Sequence, residues 1–98
     1  LLCTHEFSAS CMADGYARAT GQPGVCCIVP GPGITNAMTG IGEALLDSIP
    51  MVVLAGDVAR GCDAHPFQVH SLDNAALLRP VCKEVLEVRC VEEIPAKT

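Results

Sequence analysis

Hydrophobic residues in the first part of the chain follow a helical period. Ala9, Ala13 and Ala17 recur every four residues, which predicts a helix over residues 6–20 with a stripe of small side chains on one face. Gly21 is of the residue type that closes a helix, because glycine adopts a left-handed backbone without steric cost. Since the stripe carries no bulky side chain, we expect this helix to approach a sheet closely.

Two continuous apolar runs interrupt the helical pattern. "GVCCIVP" at residues 24–30 is bounded by Gly and Pro, and "PMVVLAGD" occupies residues 50–57. Unbroken apolar runs of this length are typical of strands that are covered on both faces, which predicts two central, buried strands. Between them, apolar residues at helical spacing predict a second helix that follows a tight turn at Gly31 and Gly33 and ends near Ser48.

The rest of the chain continues an alternation of strands and helices. Residues 1–4 read as the end of a strand, 57–72 as a loop, 73–80 as a short helix with a good N-cap, and 83–90 as a last strand. This order is typical of an α/β fold with a parallel sheet and helices on both faces, the doubly wound, flavodoxin-like arrangement. Because the chain begins within a strand and "VEEIPAKT" reads as an incipient helix, we expect residues 1–98 to be a truncated domain.

Composition narrows the classes of function. The 98 residues carry a formal net charge of −5 and their six Lys and Arg form no cluster, so capture of a nucleic-acid backbone is not expected. The apolar runs fall short of the roughly 20 residues that a membrane helix needs, and no segment resembles a signal peptide. Seven cysteines without a CxxC pair are interpreted as buried thiols in a reducing compartment. We therefore expect a cytoplasmic protein that binds neither membrane nor nucleic acid.

Candidate chemistry is concentrated at one predicted edge of the sheet. Ligands of open parallel sheets bind at the carboxyl ends of the strands, and three segments fall there. They are Glu6 at the start of the first helix, "GPGITN" at residues 31–36, and "HPFQ" at residues 65–68. From the residues alone, Glu6 is most simply a charge that stabilises a helix N-terminus, and the glycines can equally serve a tight turn.

Other kinds of site are disfavoured. "GPGITN" is not a good dinucleotide fingerprint, because Asn36 stands where GxGxxG has its third glycine and Pro32 lacks a backbone N–H for a phosphate. No nucleophile elbow of the form GxSxG occurs. The polar residues of the loop match no closed tetrahedral pattern, so we expect no metal site among them. These loop residues are Asp57, Cys62, Asp63, His65 and His70.

Taken in order, the motifs resemble the pyrimidine-binding domain of thiamine diphosphate enzymes, in the group that contains acetolactate synthase, pyruvate oxidase and 2-hydroxyacyl-CoA lyase. The matching pattern is a His-Glu pair at residues 5–6, then "MADGYAR.TG.PGV", "GPG.TN" and "A..DSIP", and later "FQ" and "LLRPVCK". It covers residues 5–58 closely and extends to about residue 90. Such an ordered set of motifs is more specific than any one of them.

The resemblance implies roles for individual residues. Glu6 matches the catalytic glutamate that hydrogen-bonds N1′ of the cofactor's aminopyrimidine and so activates the thiazolium carbon. Pro32 and Asn36 are implied to help form the pyrimidine pocket, and Gln68 to reach toward the substrate side of the cofactor. Because a carboxyl group in an apolar cleft is harder to ionise, we also expect burial to raise the pKa of Glu6.

The resemblance also implies the setting in which these residues work. Members of the family decarboxylate or join 2-oxo acids, as lyases or transferases, and bind thiamine diphosphate between two chains, which implies a homodimer or tetramer. The diphosphate and its Mg²⁺ are held by another domain, around a "GDG" motif, that these residues lack together with the first strand and helix. We therefore expect the isolated chain to be inactive. Some relatives bind FAD as well, and the sequence leaves that open.

The subfamily and an alternative function remain open. Val69 stands where many relatives have Glu, and "GDV" at residues 56–58 stands where they have "GQV", so the donor and acceptor substrates are not defined. The alternative is a non-catalytic α/β domain of the same fold that serves dimerisation or regulation. The presence of Glu6 favours the enzyme, because a relative without the proton contact would lack it.

Overall fold

Two parallel strands and the helices around them form the centre of the structure. The computed structural model describes residues 1–58 and 68–97. β1 and β2 are paired in parallel, with Gly24 opposite Met51 and Ile28 opposite Ala55. The predicted α/β class and parallel sheet are confirmed. None of the described helices is long and apolar enough to cross a membrane. The elements in chain order are α1 (Glu6–Thr20), β1 (Gly24–Ile28), α2 (Pro32–Leu46), β2 (Met51–Ala55), α3 (Asn74–Leu78), a turn of 3₁₀ helix (Val91–Glu93) and α4 (Ile94–Lys97).

Helix α1 has the predicted boundaries and the predicted face. It ends at Gly21, whose φ of 70° is left-handed and whose N–H donates to the carbonyl of Ala17. Ala13 and Ala17 are buried, and a Cβ at Gly24 of β1 would lie only 2.0 Å from the carbonyl oxygen of Ala13. The stripe of small residues therefore lets α1 lie directly against the start of the sheet, as expected.

Helices α1 and α2 pack side by side and run in the same direction. The two helices come close together at Ser10 and Gly40, where a Cβ on the glycine would lie 2.4 Å from the Ser10 hydroxyl oxygen. Ser10 is fully buried in this contact. Residues that contact each other across the pair are separated by 30 positions in the sequence at the start of the helices and by 29 at their end. A nearly constant separation means that the two helices run in parallel. Both helices consequently begin at the same edge of the sheet. The contacts, from the first turn to the last, are Glu6 with Asn36, Ser10 with Gly40, and Arg18 with Asp47.

The core lies on one face of the sheet. Burial alternates along β1, and Val25 is 59% exposed while its neighbour Cys26 is buried. On β2, Leu54 is 54% exposed. Successive side chains of a strand point to opposite faces, and the described helices cover only the Cys26 face, so the expectation of strands buried on both faces is wrong for the described residues. The core cluster comprises Ala13, Cys26, Ile28, Ile34, Ala37, Ile41 and Leu78.

The second half of the chain departs from the prediction at one element. Helix α3 begins as predicted, with the Asp73 side chain accepting from the N–H of Ala76. Residues 83–90 form no strand, although the pattern predicted one, and most of their side chains are exposed. Strand propensity depends on a neighbouring strand to pair with, and in the described residues β1 and β2 pair only with each other. The incipient helix of "VEEIPAKT" is present as the 3₁₀ turn and α4.

The cysteines are less buried than the sequence predicted. Cys26 is buried, and desolvation raises the pKa of its thiol. Cys82 is half-buried, with its pKa also raised by desolvation. Cys62 lies outside the described residues, and all the described cysteines are free thiols. The interpretation as buried thiols is therefore wrong for the exposed ones, which are Cys11, Cys27 and Cys90.

Candidate functional site

Two of the residues predicted for the site meet where α1 and α2 begin. Glu6 is the first residue of α1, and Asn36 lies early in α2. The Asn36 Nδ2 atom donates a hydrogen bond of 3.2 Å to Oε2 of Glu6. The parallel packing of the two helices therefore joins residues that are 30 positions apart into one polar pair at the sheet edge.

Gly33 makes room for the Glu6 carboxylate. A Cβ at this position would lie 3.3 Å from Oε1 of Glu6, 3.4 Å from its Cγ, and 2.5 Å from a methyl carbon of Val29. The sequence assigned Gly33 to a tight turn. The structure gives it a further role, because the absent side chain lets the carboxylate lie against the first turn of α2.

The surroundings of Glu6 favour its ionised form. Its own backbone N–H and then the Asn36 amide lower the pKa of the carboxyl group below its ordinary value of 4.5, and the nearby His5 and His70 act in the same direction. Burial opposes these effects and is outweighed. The expectation of a raised pKa at Glu6 is therefore wrong, because the hydrogen bonds to the carboxylate outweigh the effect of burial. The first turn of a helix carries partial positive charge, and Glu6 lies at two such turns.

The turn between β1 and α2 requires glycine at position 31. Gly31 has a φ of 62°, and a Cβ there would lie 2.7 Å from the backbone oxygen of His70. The Gly31 N–H donates a 3.0 Å hydrogen bond to Oδ1 of Asn74, at the start of α3. The segment around residue 70 thus packs against the turn that leads into the site.

A second polar pair lies beside this turn, and the sequence analysis did not assign it to the site. The Asn74 Nδ2 atom donates to Oδ1 of Asp57 at 2.8 Å, and the N–H of Val58 donates to the same oxygen. Asp57 lies two residues after the end of β2, so its place at the carboxyl edge of the sheet was a signal that could have identified it. Asn74 gave no comparable signal, because the pattern accounted for it as the residue after a helix cap.

The remaining predicted site residues, Pro32 and Gln68, make only local hydrogen bonds among the described residues. Pro32 is exposed at the first position of α2, and its carbonyl accepts a 2.9 Å hydrogen bond from the Thr35 hydroxyl. Gln68 is half-buried, and its amide donates to the carbonyl of Val69 at 3.4 Å. Within the described part of the chain, no hydrogen bond joins Gln68 to Glu6. The other residues of "HPFQ", at 65–67, lie outside the described residues.

Metal ligands are not grouped in the part of the chain that the structure describes. Across residues 1–58 and 68–97, no three or more His, Cys, Asp or Glu side chains are arranged to hold a metal ion. Three of the loop residues considered from the sequence, Cys62, Asp63 and His65, lie outside these ranges.

Comparisons with a family model and with individual proteins match the chain to thiamine pyrophosphate enzymes and to acetolactate synthase large subunits. A family model described as "Thiamine pyrophosphate enzyme, N-terminal TPP binding domain" matches residues 1–77. The acetolactate synthase large subunit of Buchnera aphidicola subsp. Schizaphis graminum is 49% identical over 98 residues, covering 97% of the chain and 16% of the relative. The acetolactate synthase isozyme 3 large subunit of Escherichia coli is 50% identical with the same coverage. A probable acetolactate synthase large subunit of Methanocaldococcus jannaschii is 43% identical, again with 16% of its length covered.

Proposed function

The chain belongs to the thiamine pyrophosphate enzyme family, matching its N-terminal TPP binding domain, and from this premise we propose that it is part of a longer thiamine diphosphate-dependent enzyme that acts on a 2-oxo acid. The observation that carries the proposal is the Glu6 carboxylate, held by Asn36 where two helices begin. Similarity to acetolactate synthase large subunits supports decarboxylation and carboligation as the reaction, performed by a transferase or lyase.

Glu6 is proposed to accept a hydrogen bond from the N1′–H of the cofactor's aminopyrimidine in its imino form, which carries a proton on N1′ and which this bond favours. A carboxylate has about four acceptor positions, so Glu6 can accept a ring N–H in addition to those from Asn36 and its own backbone. Its lowered pKa keeps it ionised, and therefore an acceptor, near neutral pH. When bound, thiamine diphosphate supplies the stabilisation of a carbanion next to the substrate carbonyl. The contribution of this chain is to orient the ring and to hold one proton at its nitrogen.

The neighbouring residues are proposed to shape the pyrimidine pocket. Asn36 fixes the direction of the Glu6 carboxylate, and Pro32, exposed on the same first turn as Gly33, offers an apolar wall beside it. Gln68 is proposed to face the substrate side. Because the chain spans only 16% of these relatives' length, Mg²⁺ and the diphosphate are proposed to be held by another domain, and a second copy of the chain to complete the site in a cytoplasmic homodimer or tetramer. FAD binding is left open.

Replacing Glu6 tests the proposal directly. In the complete protein, Glu6→Gln keeps the size of the side chain but removes the anionic acceptor, so exchange of the C2 proton of bound thiamine diphosphate should slow by at least about a hundredfold, as for loss of a general acid–base contact. The measurement is proton exchange of the bound cofactor followed by NMR.

Glu43→Gln is the matched control, because it makes the same charge change at an exposed position on α2. Exchange in that variant should equal the wild-type rate. A wild-type rate in Glu6→Gln would instead show that Glu6 is not the proton contact.

The isolated chain is proposed to lack affinity for the cofactor, since it supplies only one side of the site. Calorimetric titration of residues 1–98 with thiamine diphosphate and Mg²⁺ should give no measurable heat of binding. Micromolar affinity would overturn this part of the proposal, because it would require a complete site within these residues.

A non-catalytic α/β domain is the second candidate, and the exposed face of the sheet favours a role in association. Val25, Val52 and Leu54 are apolar and exposed on that face. The sequence beyond residue 98 separates the candidates, because a "GDG" motif followed after roughly thirty residues by Asn belongs to the diphosphate-binding machinery of the enzyme. Its absence from the complete protein would favour the non-catalytic domain.

A further inference from the structure

The side-chain amide of Asn74 connects three segments at the carboxyl edge of the sheet. Its Oδ1 accepts from the N–H of Gly31 at 3.0 Å, and its Nδ2 donates to Oδ1 of Asp57 at 2.8 Å. One atom of the amide faces a donor and the other faces an acceptor, so a flipped amide would make neither bond. Asp57 therefore fixes the orientation in which Asn74 can hold Gly31.

Gly31 is the residue through which α2 is anchored. It occupies the N-cap position, where α2 has no side-chain cap, and its φ of 62° and ψ of −113° form a conformation that only glycine adopts readily. Its carbonyl accepts the N–H of Thr35 at 3.2 Å, which starts the hydrogen-bonding of the helix. A backbone in a sparsely populated conformation persists only when its surroundings hold it, and Asn74 supplies a hydrogen bond that does so.

The position of this first turn determines the geometry of the carboxylate site. Gly33 lies against Glu6, and Asn36 donates to it, so a shift of the α2 N-terminus moves both contacts together. We infer that Asn74, oriented by Asp57, is a positioning residue that fixes the start of α2 and thereby the direction of the Glu6 carboxylate. The inference rests on the proposed function of Glu6 for its catalytic consequence, while the anchoring of α2 is independent of it.

The anchoring is tested in the complete protein without cofactor, by peptide-resolved hydrogen exchange over residues 29–36. Asn74→Ala removes the acceptor for the Gly31 N–H, so exchange of the Gly31 and Thr35 amides should be about tenfold faster, the factor expected from losing one hydrogen bond of ordinary strength. Asp73→Ala is the matched control, because it removes the cap of α3 and leaves the partner of Gly31 in place.

The control separates anchoring from simple support of α3. Exchange over residues 29–36 in Asp73→Ala should stay at the wild-type rate. If it rises as much as in Asn74→Ala, the stability of α3 rather than the Asn74 amide holds the turn, and the inference is wrong.

An exchange of the two side chains tests the role of Asp57. Asn74→Asp brings two carboxylates together, and Asp57→Asn removes the charged acceptor, so each single variant should weaken thiamine diphosphate binding at saturating Mg²⁺ by about tenfold. The double variant again pairs a carboxylate with an amide, and its affinity should return to within about threefold of wild type. A double variant as weak as the singles would overturn the inference.

The two measurements also separate this inference from the proposed function. If the complete wild-type protein does not bind thiamine diphosphate at all, the proposed function fails. The exchange rates of the cofactor-free protein would still support or overturn the anchoring of α2 by Asn74.

Discussion

The two ends of the α1–α2 pair hold carboxylates in different ways. At the end where the helices terminate, Arg18 forms ion pairs of 2.7 Å with Asp14 and 2.6 Å with Asp47, and its own side chain is 40% exposed. At the end where they begin, Glu6 accepts a hydrogen bond from the neutral amide of Asn36. No ion pair to Glu6 is present within the described ranges 1–58 and 68–97.

The difference shows that one pair of helices can hold itself together by ion pairs at one end and, among the described residues, keep a carboxylate without a counter-ion at the other. Arg18 lies between two carboxylates and bonds one oxygen of each, so the negative charge at this end is offset by a cation of the chain itself. An amide and two helix N-termini favour the ionised carboxylate without a fixed counter-ion, so Glu6 stays charged and keeps capacity to accept another hydrogen bond. The start of the pair is therefore suited to binding, and the end to holding the helices together.

Separating the helices at their closest approach should have the largest effect, because it moves both ends. In Gly40→Ala the added Cβ would lie 2.4 Å from the Ser10 hydroxyl oxygen, 2.9 Å from its Cβ and 3.0 Å from the backbone nitrogen of Cys11. Overpacking of this kind should lower the free energy of unfolding by about 1–3 kcal/mol, measured by urea denaturation of the complete protein.

Gly42→Ala is the control for that substitution. A Cβ there would meet only Val81, its Cγ1 at 3.6 Å and its Cβ at 4.0 Å, which are ordinary contacts, and alanine favours the helix. This variant should be unchanged or more stable by up to about 1 kcal/mol. Equal losses in both variants would mean that the Ser10–Gly40 contact does not set the spacing of the helices.

Removing Asn36 should have an intermediate effect, confined to the binding end and visible in its pH dependence. Asn36→Ala deletes one of the hydrogen bonds that lower the pKa of Glu6, so that pKa should rise toward 4.5. A carboxyl group with a lowered pKa contributes stability above its unfolded pKa and loses it as the pH falls through the folded pKa. The variant should therefore differ most in stability from wild type above pH 4.5 and converge with it below the lowered pKa.

The pH dependence of cofactor binding should also shift when Asn36 is removed. The acidic limb of thiamine diphosphate binding should move to higher pH in Asn36→Ala, measured by calorimetry across a pH series with the complete protein. The control is Thr39→Ala, which truncates an exposed residue of the same helix and leaves Asn36, His5 and His70 in place around Glu6. Its acidic limb should match that of the wild type. An identical acidic limb in Asn36→Ala and wild type would contradict the role of Asn36.

Removing the Arg18 cation, at the end where the two helices terminate, should have the smallest effect. Arg18→Gln removes the cation from an exposed pair with Asp47 and from a pair with Asp14, whose side chain is 16% exposed. Pairs that are open to solvent on one or both sides contribute about 0–1 kcal/mol each, because solvent screens them. The free energy of unfolding should fall by at most about 2 kcal/mol, the sum for two such pairs, and the difference should shrink at high salt. Any change in the acidic limb of cofactor binding would show that the two ends are not independent.

The sequence predicted best those features that depend on neighbouring residues. The bounds of α1 followed from Gly21 and the alanine stripe, and the start of α3 from Asp73, because caps and periodicity act within a few residues. The predicted strand at 83–90 failed for the opposite reason. A strand requires a partner, and its apolar residues could not reveal that none pairs with it in the described part of the chain.

The candidate site divides in the same way. The motifs predicted roles for Glu6 and Asn36, and the structure joins the two residues by a hydrogen bond. They did not give the electrostatic setting, and the expected rise in the pKa of Glu6 was wrong because hydrogen bonds outweigh burial there. The Asp57–Asn74 pair was also missed, since a contact between the end of a strand and the start of a helix 17 residues later depends on how the sheet edge is assembled.

The constant offset of about 30 residues between partners on α1 and α2 makes the pair sensitive to length as well as to composition. An extra residue inside α1 between Glu6 and Ser10 would turn Glu6 by about 100° and move it by about 1.5 Å, away from Gly33. The same extra residue at 21–23, between α1 and β1, leaves both helices in register. Natural or engineered insertions should thus be accepted in the connection and rejected within the helices, so that chain length between Glu6 and Ser10 is as restricted as the identity of the carboxylate itself.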